Sequence, residues 1–69
     1  MNEKWEYGIA YDDGNIIFRS NDVDSEEFRI ERYDRELGEW VLDYDMSGVF
    51  SGDIPSKPLS EVEALAMIG

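Results

Sequence analysis

From Trp5 to Tyr11 apolar and polar positions alternate, with Trp5, Tyr7, Ile9 and Tyr11 on one side and Glu6, Gly8 and Ala10 on the other. A period of two belongs to a β-strand, whose successive side chains point to opposite faces, so the segment predicts a half-buried strand. Asp12-Asp13-Gly14-Asn15 follows, four residues that tolerate positive φ, and β-branched Ile16-Ile17 with Phe18 comes directly after. Strand, tight turn and strand predict a β-hairpin. The run from Asn21 to Glu27 is polar and acidic and reads as a loop.

The stretch from Ser25 to Gly38 admits two readings. As a strand, it turns Phe28 and Ile30 inward, opens a turn at Tyr33-Asp34 and places Gly38 in the left-handed position before Trp40, Leu42 and Tyr44 alternate on the way back. As a helix, it has Asp24 or Ser25 as N-cap, Ile30, Tyr33 and Leu37 on one face and Gly38 as C-cap. The hairpin is favoured, because the helical face carries only three apolar residues and strands Phe28 off it. Phe28 to Ile30 should then pair with Trp40 to Tyr44 as antiparallel strands. Asp45 to Pro58 is punctuated by Gly48, Gly52 and Pro55 and reads as a long loop, with a short edge strand at Val49-Phe50. Ser60-Glu61-Val62-Glu63 is a capping box opening a final helix, whose Val62, Leu65 and Ala66 form the stripe expected against the sheet. The expected architecture is one α+β domain over residues 1–69: an antiparallel sheet of about four strands in two hairpins, with the C-terminal helix packed on one face.

Charge changes the picture of the surface. Seventeen Asp and Glu against six Lys and Arg leave the 69 residues at net charge −11. Such a chain is repelled by phosphate backbones and anionic membranes and attracted to basic protein surfaces, so neither direct nucleic-acid nor membrane binding is expected. Nine aromatic residues separate it from a disordered acidic tail. No apolar window reaches the ~20 residues of a membrane span and no secretory leader pattern opens the chain, so a soluble, cytoplasmic protein is expected. A domain this small hides only about 60% of its unfolded surface, and with no Cys its stability rests on packing alone.

The opening Trp5-Glu6-Tyr7-Gly8-Ile9-Ala10-Tyr11-Asp12-Asp13-Gly14, and later Gly38-Glu39-Trp40, resemble segments common in small acidic accessory proteins of phages that infect actinobacteria; the likeness spans about a third of the chain. The resemblance implies a non-enzymatic protein that binds a host or phage protein, and it names no target. Those proteins usually place a helix between the hairpin and the final strand, which the two-hairpin reading omits.

Candidate chemistry is sparse. With neither His nor Cys, the commonest general base and the most readily activated nucleophile are lacking, so no enzymatic activity and no cofactor are expected. Asp43-Tyr44-Asp45-Met46-Ser47-Gly48 matches the start of a calcium loop, with oxygen ligands at positions one, three and five and glycine at six. Position twelve, which should be a bidentate Glu, is Ile54, and Asp53 sits one residue early, so no metal site is expected. Asp12-Asp13 and Asp22-Val23-Asp24-Ser25-Glu26 read as turn and loop chemistry. The acidic surface remains. The strand reading puts Glu6, Glu27, Glu31, Glu39, Asp43 and Asp45 on one outward sheet face, with Asp22, Asp24 and Glu26 at its end. Alternate strand residues repeat every ~6.8 Å and phosphates on one DNA strand every ~3.4 Å, so two strands and a loop approximate the field of a duplex. Arg29 on the same face tempers this, and Arg19, Arg32 and Arg35 are expected to pair with Glu27, Glu31, Asp34 and Glu36. The expected partner-binding residues are Glu6, Asp22, Asp24, Glu26, Glu27, Glu31, Asp43 and Asp45. Their expected partner is a basic protein surface, including one that normally holds nucleic acid. The competing expectation is a structural module that associates with itself through a sheet edge or the helix, its charge incidental.

Overall fold

The computed structural model describes residues 5–11, 14–22 and 24–69. They form an α+β fold of β1 (Glu6–Ala10), β2 (Ile16–Ser20), β3 (Ile30–Asp34), β4 (Glu39–Leu42), a 3-10 turn (Tyr44–Ser47), the single-turn helix α1 (Gly48–Ser51), β5 (Ser56–Leu59) and α2 (Glu61–Ile68). The sheet is antiparallel, with strand order β4-β3-β2-β1-β5. Both expected hairpins are present. In the first, Gly8 stands opposite Phe18 and Ile9 opposite Ile17; its Asp12-Asp13 turn lies outside the described residues. In the second, Tyr33 stands opposite Trp40 and Arg32 opposite Val41. Gly38, at φ +69°, closes that turn by donating its N–H to the Asp34 carbonyl (2.8 Å), a left-handed position that a Cβ would strain. Phe28 and Tyr44 lie just beyond the paired strands.

The fifth strand occupies part of the expected loop. Ser56 to Leu59 pairs with β1, Lys57 opposite Ile9 and Leu59 opposite Tyr7. Tyr11 N–H donates to the Pro55 carbonyl (2.8 Å), so the backbone of Pro55, Lys57 and Leu59 faces β1 while that of Ser56 and Pro58 faces outward. Pro58 lacks its N–H on the solvent side of an edge strand, the one place in a sheet where that costs nothing and where it blunts unwanted pairing. The expected strand at Val49-Phe50 is instead α1, ended by Gly52 at φ +86°.

Both faces of the sheet are covered. On one, Tyr7, Ile9 and Ile17 pack with Ala64 of α2, flanked by Trp5, Tyr33, Trp40, Leu59 and Ile68. On the other, Ala10, Phe18 and Ile30 pack with Met46 of the 3-10 turn, flanked by Ile16 and Phe28 and by Val49 and Ile54 from the segment that follows that turn. β1 is therefore buried on both sides from Tyr7 to Ala10, rather than half-buried. Gly8 makes that possible: the Phe18 ring lies so close that a Cβ there would stand 2.5 Å from its Cζ. The helix is also rotated from expectation. Its capping box forms, with Glu63 N–H donating to Ser60 Oγ (3.1 Å) and Ser60 N–H to Glu63 Oε1 (3.0 Å). Yet Ala64 and Ile68 meet the sheet, while Val62, Leu65 and Ala66 face solvent. Alanine lets the helix backbone approach the bulky Tyr7 and Trp40 side, which Leu65 would hold off.

Candidate protein-interaction surface

The two layers divide the acidic residues. Glu31 lies on the α2 face, opposite Arg19 in the register, and is only 7% exposed. Arg19 Nε donates to Glu31 Oε1 at 2.8 Å, Arg19 Nη2 is ion-paired with the same oxygen at 2.8 Å, and Arg29 Nη2 reaches Oε2 at 3.4 Å. The Arg19 guanidinium lies 4.3 Å from the Trp5 ring centre and 4.4 Å from that of Trp40, so two indoles and a carboxylate enclose it. Glu31 is thus an interior ion-pair partner and not part of an outward face. Glu6 and Glu39 point to the opposite side of the sheet from Glu31, and no single face carries the six expected carboxylates. The strand period fixes alternation but not which face stays open, and here neither does. Asp43 is likewise engaged: its Oδ2 accepts from Arg32 Nε (3.0 Å) and its Oδ1 from Asp45 N–H (3.0 Å), capping the 3-10 turn. Both oxygens of the first calcium-loop position are therefore occupied. Among the described residues no three carboxylates converge as metal ligands, and no helix is long and apolar enough to cross a membrane.

The other six expected residues, Glu6, Asp22, Asp24, Glu26, Glu27 and Asp45, are exposed, and none joins an ion pair among the described residues. Glu27 and Glu36, expected to meet arginines, do not; the pairs fall on Glu31, Asp34 and Asp43. Four of the six exposed acids lie in the β2–β3 connection, which Asn21 organises. Its buried amide accepts Arg29 N–H (2.7 Å) and donates to the Glu27 carbonyl (2.9 Å), while its own N–H reaches the Arg29 carbonyl (3.2 Å). Ser25 Oγ accepts Glu27 N–H (3.1 Å) and Asp22 Oδ1 accepts Asp24 N–H (3.0 Å). Asn21 was hidden in the sequence because nothing local distinguishes a clamp from another polar loop residue.

Beside this connection lies a cluster of aromatic residues. Phe28 packs its ring 6.0 Å from Phe50 and 6.3 Å from Tyr44, and the Tyr44 hydroxyl donates to the Phe28 carbonyl (3.2 Å). Tyr44 is 53% exposed and Phe50 48%. Trp5 and Trp40 pack around Arg19, with Trp40 edge-on to Tyr7 (6.0 Å) and Tyr33 (5.4 Å). Compared with protein-family models, curated proteins and solved structures, the chain finds no match.

Proposed function

We propose that this is a non-enzymatic acidic interaction protein, of the kind the phage resemblance implies, whose carboxylate-rich surface binds a basic surface of a host protein. The observation that carries the reading is the exposed, unpaired set Glu6, Asp22, Asp24, Glu26, Glu27 and Asp45 on a chain of net charge −11. Four of those charges sit on a connection whose backbone is held by Asn21, so they are presented and not merely tethered. A fixed negative patch speeds encounter with a positive one and gives binding a steep salt dependence. Where the basic surface is a nucleic-acid site, the protein acts as a mimic and inhibitor of that ligand. The test is affinity capture of a host protein with the wild-type chain and with Asp22, Asp24, Glu26 and Glu27 all changed to Lys. Capture should fall steeply with rising salt and vanish for the reversed variant, and duplex DNA should compete if mimicry is the mechanism. Capture indifferent to salt and to the reversal refutes the reading.

The second reading, self-association, is favoured by α2, where Val62 is 78% exposed beside Leu65 and Met67. It predicts a dimer in sedimentation equilibrium that persists in high salt and dissociates on Leu65→Glu.

A further inference from the structure

Resting on the acidic-interaction reading, we propose that a groove beside Tyr44 receives an arginine side chain from an extended basic segment of the partner protein. The groove, of about 410 Å³, is lined by Glu26, Glu27, Phe28, Arg29, Leu42 and Tyr44. It therefore joins two exposed carboxylates to two aromatic rings. The Tyr44 ring is positioned by its hydroxyl on the Phe28 carbonyl, and the Phe28 ring also packs edge-on with Phe50. A guanidinium suits this combination, since it stacks flat on a ring and presents forked donors to a carboxylate. The protein already holds one guanidinium in this way: Arg19 lies against Trp5 and Trp40 with Glu31 at 2.8 Å. The groove sets the same two kinds of group side by side at the surface. Arg29, which lines it, is drawn toward Glu31 Oε2 at 3.4 Å. Charge selects the occupant: a second copy would bring net −11 against net −11, whereas a basic segment is attracted by every exposed carboxylate of the connection.

An acetylated, amidated tetra-arginine peptide provides the probe, titrated at low ionic strength and followed by amide resonances. Shifts should concentrate on Glu26 to Arg29 and on Tyr44. Tyr44→Ala should weaken binding roughly two- to fivefold, Tyr44→Phe, which keeps the ring but not the hydroxyl that positions it, should weaken it less, and Glu27→Gln should weaken it by a factor similar to Tyr44→Ala. Glu36→Gln supplies the control, an equal loss of charge in the β3–β4 turn at the far end of β3, and should change binding far less. Unchanged thermal unfolding of Tyr44→Phe and Glu36→Gln shows that these variants fold. If Glu27→Gln and Glu36→Gln weaken binding equally and Tyr44→Ala does not, the groove is refuted while the acidic-surface reading stands. If the peptide fails to bind at low salt, both are refuted. If Tyr44→Ala abolishes self-association in sedimentation and leaves peptide binding intact, the groove belongs to a second copy instead.

Discussion

Arg19 and Gly8 show what single residues decide in this protein. The Arg19–Glu31 pair is nearly enclosed, and removing one partner of such a pair leaves the other desolvated and uncompensated. Glu31→Gln should therefore cost about 3 kcal/mol of stability by denaturant unfolding. Replacing both, as Arg19→Met with Glu31→Leu, should lose clearly less than the sum of the single changes. Additive losses would show that the indoles, and not the carboxylate, hold Arg19. Gly8→Ala forces a methyl into the Phe18 ring and against the Lys57 carbonyl, so it should destabilise by about 1–3 kcal/mol. Adding Phe18→Leu to that variant should restore part of the loss. Neither role was legible locally. An alternating strand shows that Glu31 and Gly8 leave the plane of the sheet, but not what waits for them across it.

At the scale of elements, two carboxylates tie backbone geometry to pH. Asp34 accepts the N–H groups of Leu37 (3.0 Å) and Glu36 (2.9 Å) in the β3–β4 turn, and these bonds, that of Leu37 foremost, with help from Arg32, hold its pKa below the ordinary 3.8. Glu63 is held below 4.5 chiefly by the Ser60 N–H, then by the Ser60 hydroxyl and the charge of Lys57. A carboxylate whose folded pKa lies below its unfolded one stabilises fully above the unfolded value and loses that contribution as pH falls through the folded one. Asp34→Asn and Glu63→Gln should therefore lower the melting temperature at about pH 7, and the gap to wild type should close on acidification below about pH 4. A gap that does not narrow as pH falls below the unfolded values would mean that turn and cap act through shape and not charge. The capping box and Gly38 turn were readable from sequence because each is a short-range device. β5 was not, since its partner lies far along the chain and Pro58, with Pro55 just before the strand, looks like a breaker until the strand is known to be an edge.

For the whole molecule, the balance of charge governs both stability and partner choice. Arginines meet only Glu31, Asp34 and Asp43 among the described carboxylates, so the other described acids stand without a compensating arginine and are expected to repel one another. Raising NaCl from about 0.02 to about 0.5 M at neutral pH should accordingly raise the melting temperature in calorimetry. A fall on adding salt would place the weight on the native ion pairs and undercut a free acidic surface. Local pattern and composition alone determined the α+β class, the two antiparallel hairpins, the capped final helix and the excess negative charge. Each follows from short-range periodicity, capping or simple counting. Tertiary structure decided which charges remain available. By covering both faces of the sheet, one with Ala64 and the other with Met46, it drew Glu31 inside and left Asp22, Asp24, Glu26 and Glu27 exposed, the last two beside Tyr44. A strand's alternation says that two faces exist; only the packing of distant segments says which residues on them meet water.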